Sequence, residues 1–362
     1  MTITQIILYP FTLIYKWITD FRNYLYDIDY KKSFLFDTKV INVGNITVGG
    51  TGKTPHVEYL IRFLKEDYKI ATLSRGYGRK SKGFILADEK ANASMIGDEP
   101  MQFYQKFASE ITVTVGEERI EAIPKILYER PETQVILLDD AYQHRAVIPD
   151  FNILLTDYSR LFYKDFPFPS GRLRESRKGA KRADAVIVSK CPVDLAENEK
   201  KEIISSINQY TKEGTPIYFT SIKYGEIIPV QKTDNPIKLD KNISVLLFSG
   251  IAKAQNLENY VSGKTDLKEH LTFSDHHFYT IKELGNIKLN FEKIMATSKI
   301  ILTTEKDAVK IKEGELFSVL EGLPVYYLPI EIYFQEEEGE ESFRGKIMQT
   351  IKEENKKKLS FL

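Results

Sequence analysis

Residues 44–54 read GNITVGGTGKT, preceded by the apolar run Val40-Ile41-Asn42-Val43 and followed by Val57, Leu60, Ile61 and Leu64 at helical spacing. A strand, a glycine-rich loop ending in Gly-Lys-Thr, and a helix form the context a phosphate-binding loop requires. Glycine tolerates dihedrals that other residues do not, so backbone N–H groups can turn inward around phosphate oxygens. Gly49, Gly50, Thr51, Gly52, Lys53 and Thr54 are therefore expected to cradle a nucleoside triphosphate. Lys53 should reach the β- and γ-phosphates and the Thr54 hydroxyl should hold Mg²⁺. Pro55 suits the first helical turn, where its missing N–H is no loss. The strict pattern has glycine at position 47; Thr47 stands there, and Gly49 and Gly50 are expected to supply the freedom. The competing reading is a turn that binds nothing.

The loop sits in a longer alternation. Apolar runs at 70–73, 111–115, 135–138, 153–155 and 185–188 are separated by helical patterns, one of them near 117–129. Strands alternating with helices predict a mostly parallel sheet covered on both faces. A second series starts near residue 243, with strands at 245–248, 299–303 and 325–328. The expected fold is α/β: a P-loop NTPase-type sheet, a second smaller α/β domain, and an N-terminal amphipathic helix. The expected boundaries are 1–27 for the helix, 28–225 for the P-loop domain, 226–242 for a polar linker, and 243–362 for the second domain. The acidic run Glu336–Glu341 and the basic Lys356-Lys357-Lys358 read as solvated surface.

Other patterns carry chemistry. Val135-Ile136-Leu137-Leu138-Asp139-Asp140 is an apolar strand ending in acid, the usual Mg²⁺-holding partner of a P-loop. In Gly97-Asp98-Glu99-Pro100, Asp98 reads either as a helix cap or as a base for an attacking hydroxyl. In Asp275-His276-His277 the adjacent histidines point different ways, which argues against a shared metal. Asp-His could instead be a capped turn, or could orient a base across a cleft. Six basic residues within 172–182 suit an anion, a membrane surface or plain solvent. Ser189-Lys190-Cys191-Pro192 lacks the aspartate that would pair with guanine, which favours ATP.

Lys+Arg and Asp+Glu both total 51, so net charge does not suggest nucleic-acid binding. The single cysteine, Cys191, excludes an intrachain disulfide and fits a reducing compartment. Residues 3–26 are aromatic and apolar, but Lys16, Asp20 and Arg22 interrupt them, so they fail as a spanning helix of about 20 apolar residues. They also lack the basic start and small-residue end of a signal peptide. Their periodicity allows a helix packed on the protein's own core or one lying at a membrane interface.

Taken in order, GNITVGGTGKTP at 44–55, SRGYGR at 74–79, GDEP at 97–100, DDAYQHR at 139–145, PSGRLRE at 169–175, FSGIAKAQN at 248–256, FSDHH at 273–277 and TEKDAVK at 304–310 resemble the tetraacyldisaccharide 4'-kinase family. The resemblance covers most of the chain. Ala141 stands where the family usually has glycine, and Pro169-Ser170-Gly171 where it has Pro-Ala-Gly; both are small changes. The resemblance implies two Rossmann-like domains joined by a thin strand linker, with the active site between them. It implies transfer of the ATP γ-phosphoryl to the 4'-hydroxyl of a tetraacylated disaccharide 1-phosphate, a step of lipid A biosynthesis giving lipid IVA. Lys53, Asp98, His276 and Asp140 would be catalytic, with His276 orienting Asp98. Thr54, Asp139 and Asp140 would hold Mg²⁺. Tyr77, Gln143, His144, Arg174 and Glu175 would line the acceptor site. The resemblance also implies peripheral attachment to the cytoplasmic face of the inner membrane, which favours the interfacial reading of the N-terminal helix. No obligate protein partner and no nucleic acid are expected. The alternatives are a P-loop kinase or ligase for a soluble metabolite, and a membrane-associated nucleotide-binding regulator.

Overall fold

The computed structural model describes residues 3–231, 237–312 and 314–353; part of the expected linker and the Lys356-Lys357-Lys358 run lie outside them. The chain opens with α1 (Ile3–Asp27). β1 (Lys39–Gly44) enters the glycine loop and α2 (Lys53–Leu64) leaves it. Then come β2 (Ile70–Ser74), β3 (Ile85–Leu86), α3 (Ala93–Ile96), α4 (Asp98–Phe107), β4 (Thr112–Val115), α5 (Arg119–Glu129), β5 (Val135–Asp139), β6 (Phe151–Asp157) and β7 (Ala185–Ser189). α6 (Glu197–Asn208) leads to β8 (Ile217–Tyr224) and the short β9 (Ile228–Pro229). A second series follows: β10 (Ser244–Ser249), α7 (Gln255–Lys264), β11 (Asp266–Thr272), α8 (Ile281–Lys293), β12 (Lys299–Thr304), α9 (Glu305–Ile311) and β13 (Val325–Leu328). β14 (Ile330–Phe334) and α10 (Glu337–Lys352) close the described chain.

The first sheet has the order β14-β8-β7-β6-β1-β5-β2-β4-β3, parallel except at its two edge strands. Successive residues of a strand face opposite sides. Ile41 and Val43 of β1 therefore join one buried cluster with Val57, Leu60 and Ile61 of α2, while Val40 joins another with Ile123 and Ile126 of α5. Burial on both faces is what makes these strands continuous apolar runs.

The second sheet has the order β11-β10-β12-β13-β9, with only β9 antiparallel. Its faces are likewise both covered, Leu246 and Phe248 on one side and Val245 and Leu247 on the other. Within the expected linker, Ile228 and Pro229 pair with Tyr327 and Tyr326 of this second sheet. Within the expected second domain, β14 instead pairs antiparallel with β8 at the edge of the first sheet, Ile332 opposite Ile222. Phe343 and Ile347 of α10 are buried in the first sheet's core, and the mostly exposed acidic run begins that helix. The second unit is thus an insertion, entered after β8 and left before β14. Gly225 N–H bonds to the Pro329 carbonyl at 2.9 Å where the two crossing strands meet.

Candidate active site

All the chemistry collects at the carboxyl edge of the first sheet, the edge where open α/β sheets bind ligands. The parallel register sets Val43 of β1 level with Asp139 of β5, so the glycine loop and the two aspartates leave the sheet side by side. Gly49 (φ 115°) and Gly52 (φ 82°) take positive φ, as a loop that turns its amides inward needs. Thr47 is extended and bridges Leu173, so no glycine is required there. Val48 N–H bonds to the Arg172 carbonyl and Arg174 N–H to the Ile46 carbonyl, so the 166–174 segment braces one side of the loop. Inside it, Asn45 Nδ2 donates to Thr51 Oγ1 at 2.7 Å, and the Ser189 hydroxyl donates to the Thr51 carbonyl at 2.8 Å.

His56 braces the other side. It is fully buried one turn into α2, 2.7 Å from the Gly52 carbonyl through Nδ1 and 3.0 Å from Thr220 Oγ1 through Nε2. A carbonyl can only accept, so Nδ1 carries the proton. Burial lowers its pKa to about 4, so the ring stays neutral.

Asp139 and Asp140 are unlike. Asp140 receives two parallel bonds from Arg174, at 2.8 and 3.1 Å, and lies 3.6 Å from Lys53 Nζ. Burial works to raise its carboxyl, but Lys53 and Arg174 outweigh that and lower it. Asp139 is 1% exposed; its Oδ2 accepts from Ser74 at 3.3 Å, and its Oδ1 has no hydrogen-bond partner among the described residues. Burial, with Glu99 and Asp140 adding to it, pushes its carboxyl up to about 7. A buried carboxylate oxygen with nothing to accept from costs several kcal/mol unless a cation meets it. Hard oxygens at the start of a P-loop helix suit Mg²⁺, so the residues fit the expected metal.

Asp98 is the first residue of α4, with Gly97 as its cap, so it is not itself the cap. Gly97 (φ 93°) lies so close to the Gly76 backbone that a Cβ would come within 3.0 Å, which presses the SRGYGR turn onto the start of α4. Asp98 is 5% exposed, and its Oδ2 lies 3.0 Å from His276 Nδ1, 3.6 Å from Lys306 and 3.8 Å from Lys310. Lys306 Nζ lies 3.1 Å from His276 Nε2. An ammonium only donates, so Nε2 accepts and Nδ1–H donates to Asp98. Burial would raise the Asp98 carboxyl, but His276 and the two lysines hold it at about 2. His277 turns away to Glu283 at 3.1 Å, which settles which histidine faces the cleft. Tyr77, 66% exposed, lies against His276 with ring centroids 4.9 Å apart.

The other expected residues divide. Gln143 joins the group, accepting from Arg174 at 3.3 Å and donating to the Asn45 carbonyl at 2.9 Å. His144 is held neutral, its pKa lowered to about 4 by burial and then by Arg119 and Arg75. Glu175 is buried and already satisfied, accepting from Asn23, Gln143 and Arg182 at 2.7–3.0 Å. It therefore ties α1 to the site. Of the six basic residues at 172–182, Arg174, Arg177 and Arg182 are similarly engaged, Arg177 on the Asp165 carbonyl. Arg172, Lys178 and Lys181 stay exposed. The residues missed are Lys306 and Lys310, although both lie in the TEKDAVK run. Lys190 was also missed; it donates to the Gly50 carbonyl and pairs with Asp157 at 3.2 Å.

α1 docks the wrong way round for a core helix. Thr12, its one buried residue, bonds Ser170 at 2.7 Å, and Tyr15 donates to the Arg174 carbonyl at 2.9 Å. Ile7, Phe11, Ile14, Trp17, Ile18 and Phe21 all face solvent, Trp17 at 68% and stacked on Phe21. The helix packed on its own core is thereby overturned. No helix among the described residues is long and apolar enough to cross a membrane.

Residues 4–349 match the family model described as Tetraacyldisaccharide-1-P 4'-kinase. The chain belongs to this family. It is a kinase, and the ATP reading of the glycine loop agrees with that. Its relatives include the tetraacyldisaccharide 4'-kinase of Flavobacterium johnsoniae, 45% identical over 98% of this chain and 99% of the relative. The corresponding kinase of Phocaeicola vulgatus is 43% identical over 92% of each. Among solved structures, the Aquifex aeolicus family member in complex with ATP superposes with a TM-score of 0.74 at 28% identity, over 96% of this chain and all of the other.

Proposed function

We propose that this kinase transfers the γ-phosphoryl group of ATP to the 4'-hydroxyl of a tetraacyldisaccharide 1-phosphate, giving ADP and lipid IVA, at the cytoplasmic surface of the inner membrane. The observation that carries the reading is the pairing of a P-loop with a buried Asp98 that His276 meets from across the cleft. Phosphoryl transfer asks a protein mainly for positioning and charge compensation, and the residues divide that work. The loop amides and Lys53 hold the β- and γ-phosphates. Arg174 and Lys53 fix Asp140, while Asp139 and Thr54 present oxygens for the metal. Mg²⁺ held there would offset negative charge on the phosphates. The 4'-oxygen attacks the γ-phosphorus as the bond to the β,γ-bridging oxygen breaks, and Asp98, oriented by His276, accepts the hydroxyl proton. A carboxyl near pKa 2 is a weak base. It suffices because little of the new O–P bond has formed in a loose transition state, so the proton leaves late, once that bond has made the hydroxyl acidic. Tyr77, Gln143 and His144 line the acceptor side.

The exposed apolar face of α1 supports interfacial binding. Its polar side is bonded to the segment that braces the loop, so the outward stripe lies beside the site. The acyl chains would then stay at the bilayer while the sugars enter the cleft. The test is γ-labelled ATP with Mg²⁺ and a tetraacyldisaccharide 1-phosphate in detergent micelles. Label in the lipid is expected. ATP hydrolysis with no labelled lipid would point to a soluble acceptor or a regulator instead.

A further inference from the structure

Behind the Asp98–His276 couple lies a second set of charges that no step above uses. Asp98, Gln102 and Lys106 share one face of α4 at four-residue spacing. Lys106 Nζ donates to Glu58 Oε2 and to Glu305 Oε2, each at 2.7 Å. Gln102 Nε2 spans the same two carboxylates, 2.8 Å to Glu58 and 3.1 Å to Glu305. Arg62 adds a bond to Glu58 at 3.1 Å. Glu58 lies on α2, fully buried, and Glu305 opens α9 in the second unit, nearly so. Burial, then the nearby Glu58, pushes the Glu305 carboxyl up to about 7 against the pull of Lys106.

Desolvating two carboxylates and an ammonium costs several kcal/mol each, and apolar side chains would fasten three helices as well or better. Shared hydrogen bonds give registry instead, because one lysine and one amide can bridge two carboxylates in only a narrow range of helix positions. The helices concerned begin with Lys53 and Thr54 on α2, Asp98 on α4, and Glu305 and Lys306 on α9. The groups that hold the nucleotide, the proton acceptor and its lysine partner are thus all set from this one point.

We propose that Glu58, Gln102, Lys106 and Glu305 are positioning residues for phosphoryl transfer, a clamp that fixes the distance between the Asp98–His276 couple and the glycine loop. The inference rests on the kinase reading above. Its test is the full-length chain with Lys106→Met, Lys106→Arg and Glu305→Ala, measuring kcat, KM for ATP and for the lipid, and Tm. Misplacement of about 1 Å can cost up to ~10²-fold, so Lys106→Met should lower kcat about tenfold or more with both KM values within about twofold. Lys106→Arg should restore most of it. Glu305→Ala leaves Glu58, Lys106 and Arg62 paired, so the first unit keeps its fold. It should lower kcat about fivefold with the same split, and it decides the matter if Lys106→Met does not fold. A kcat within twofold of the parent in Glu305→Ala overturns the clamp, as does a matching rise in KM for ATP. If the parent labels no lipid, the lipid-acceptor reading fails. The clamp is then judged by hydrogen exchange of the α9 amides, which should quicken in Glu305→Ala; unchanged exchange overturns it.

Discussion

The nucleotide end and the acceptor end of this site are built on opposite plans. The glycine loop comes from one stretch of eleven residues, 44–54, and its braces are fixed mostly by backbone bonds and one neutral histidine. The Asp98–His276 couple joins residues 178 apart in sequence, one from each unit, and is held by charged side chains. The first can be complete in the first unit alone. The second exists only while the two units sit in register. Binding nucleotide and transferring its phosphate should therefore respond differently to damage.

The largest expected effect tests the shared part. Lys53→Ala removes the positive charge from the phosphates and should lower kcat about 10³-fold, as the loss of a transition-state donor does elsewhere. Near-normal turnover would remove the loop from the reaction altogether. Asp98→Ala should then separate the ends. A drop in kcat of about 10²-fold is expected, with KM for ATP within about twofold in the same assay. If only KM for ATP rises, Asp98 belongs to the nucleotide end and the division fails.

His56 sharpens the comparison from the other side. Its folded pKa, about 4, lies below the ordinary value of 6.5, so the fold favours the neutral ring. Its contribution is full above pH 6.5 and is lost as pH falls toward 4, about 2 kcal/mol of it by pH 5. Denaturant titrations at pH 8 and pH 5 should show His56→Gln losing less stability on acidification than the parent by that amount. An equal loss in both would mean His56 does not titrate with unfolding. The smallest effect on chemistry is expected at α1. Ile14→Asp with Ile18→Asp should abolish co-sedimentation with anionic vesicles yet leave kcat in detergent within about twofold. Unchanged sedimentation would rule out the interfacial face.

What could be read from sequence follows the same division. The strand before the loop, the helix after it, and the paired aspartates of β5 show in local spacing, because consecutive residues fix them. His276 was named through the family resemblance, but its choice over His277 needed coordinates. Lys306 and Lys310 lie in the TEKDAVK run, but nothing local gives them a role, and the Glu58–Lys106–Glu305 group had no local signal, since only the meeting of α2, α4 and α9 makes its members neighbours. Periodicity gave α1 a stripe without saying which side meets the protein, and Thr12 and Asn23 decided that. Nor does an alternating strand pattern name its partner, so the pairing of Ile330–Phe334 with β8 was invisible.

That late return of β14 governs how the chain can be made. While the ribosome is still producing residues 225–329, β8 has no neighbour on its outer side. At roughly 5–20 residues per second this bare edge persists for roughly 5–20 s. An uncovered edge is a template for strands of other chains, so the nascent protein is most open to aggregation while its second unit is being built. A chain ending before Ile330 would keep that edge bare for good.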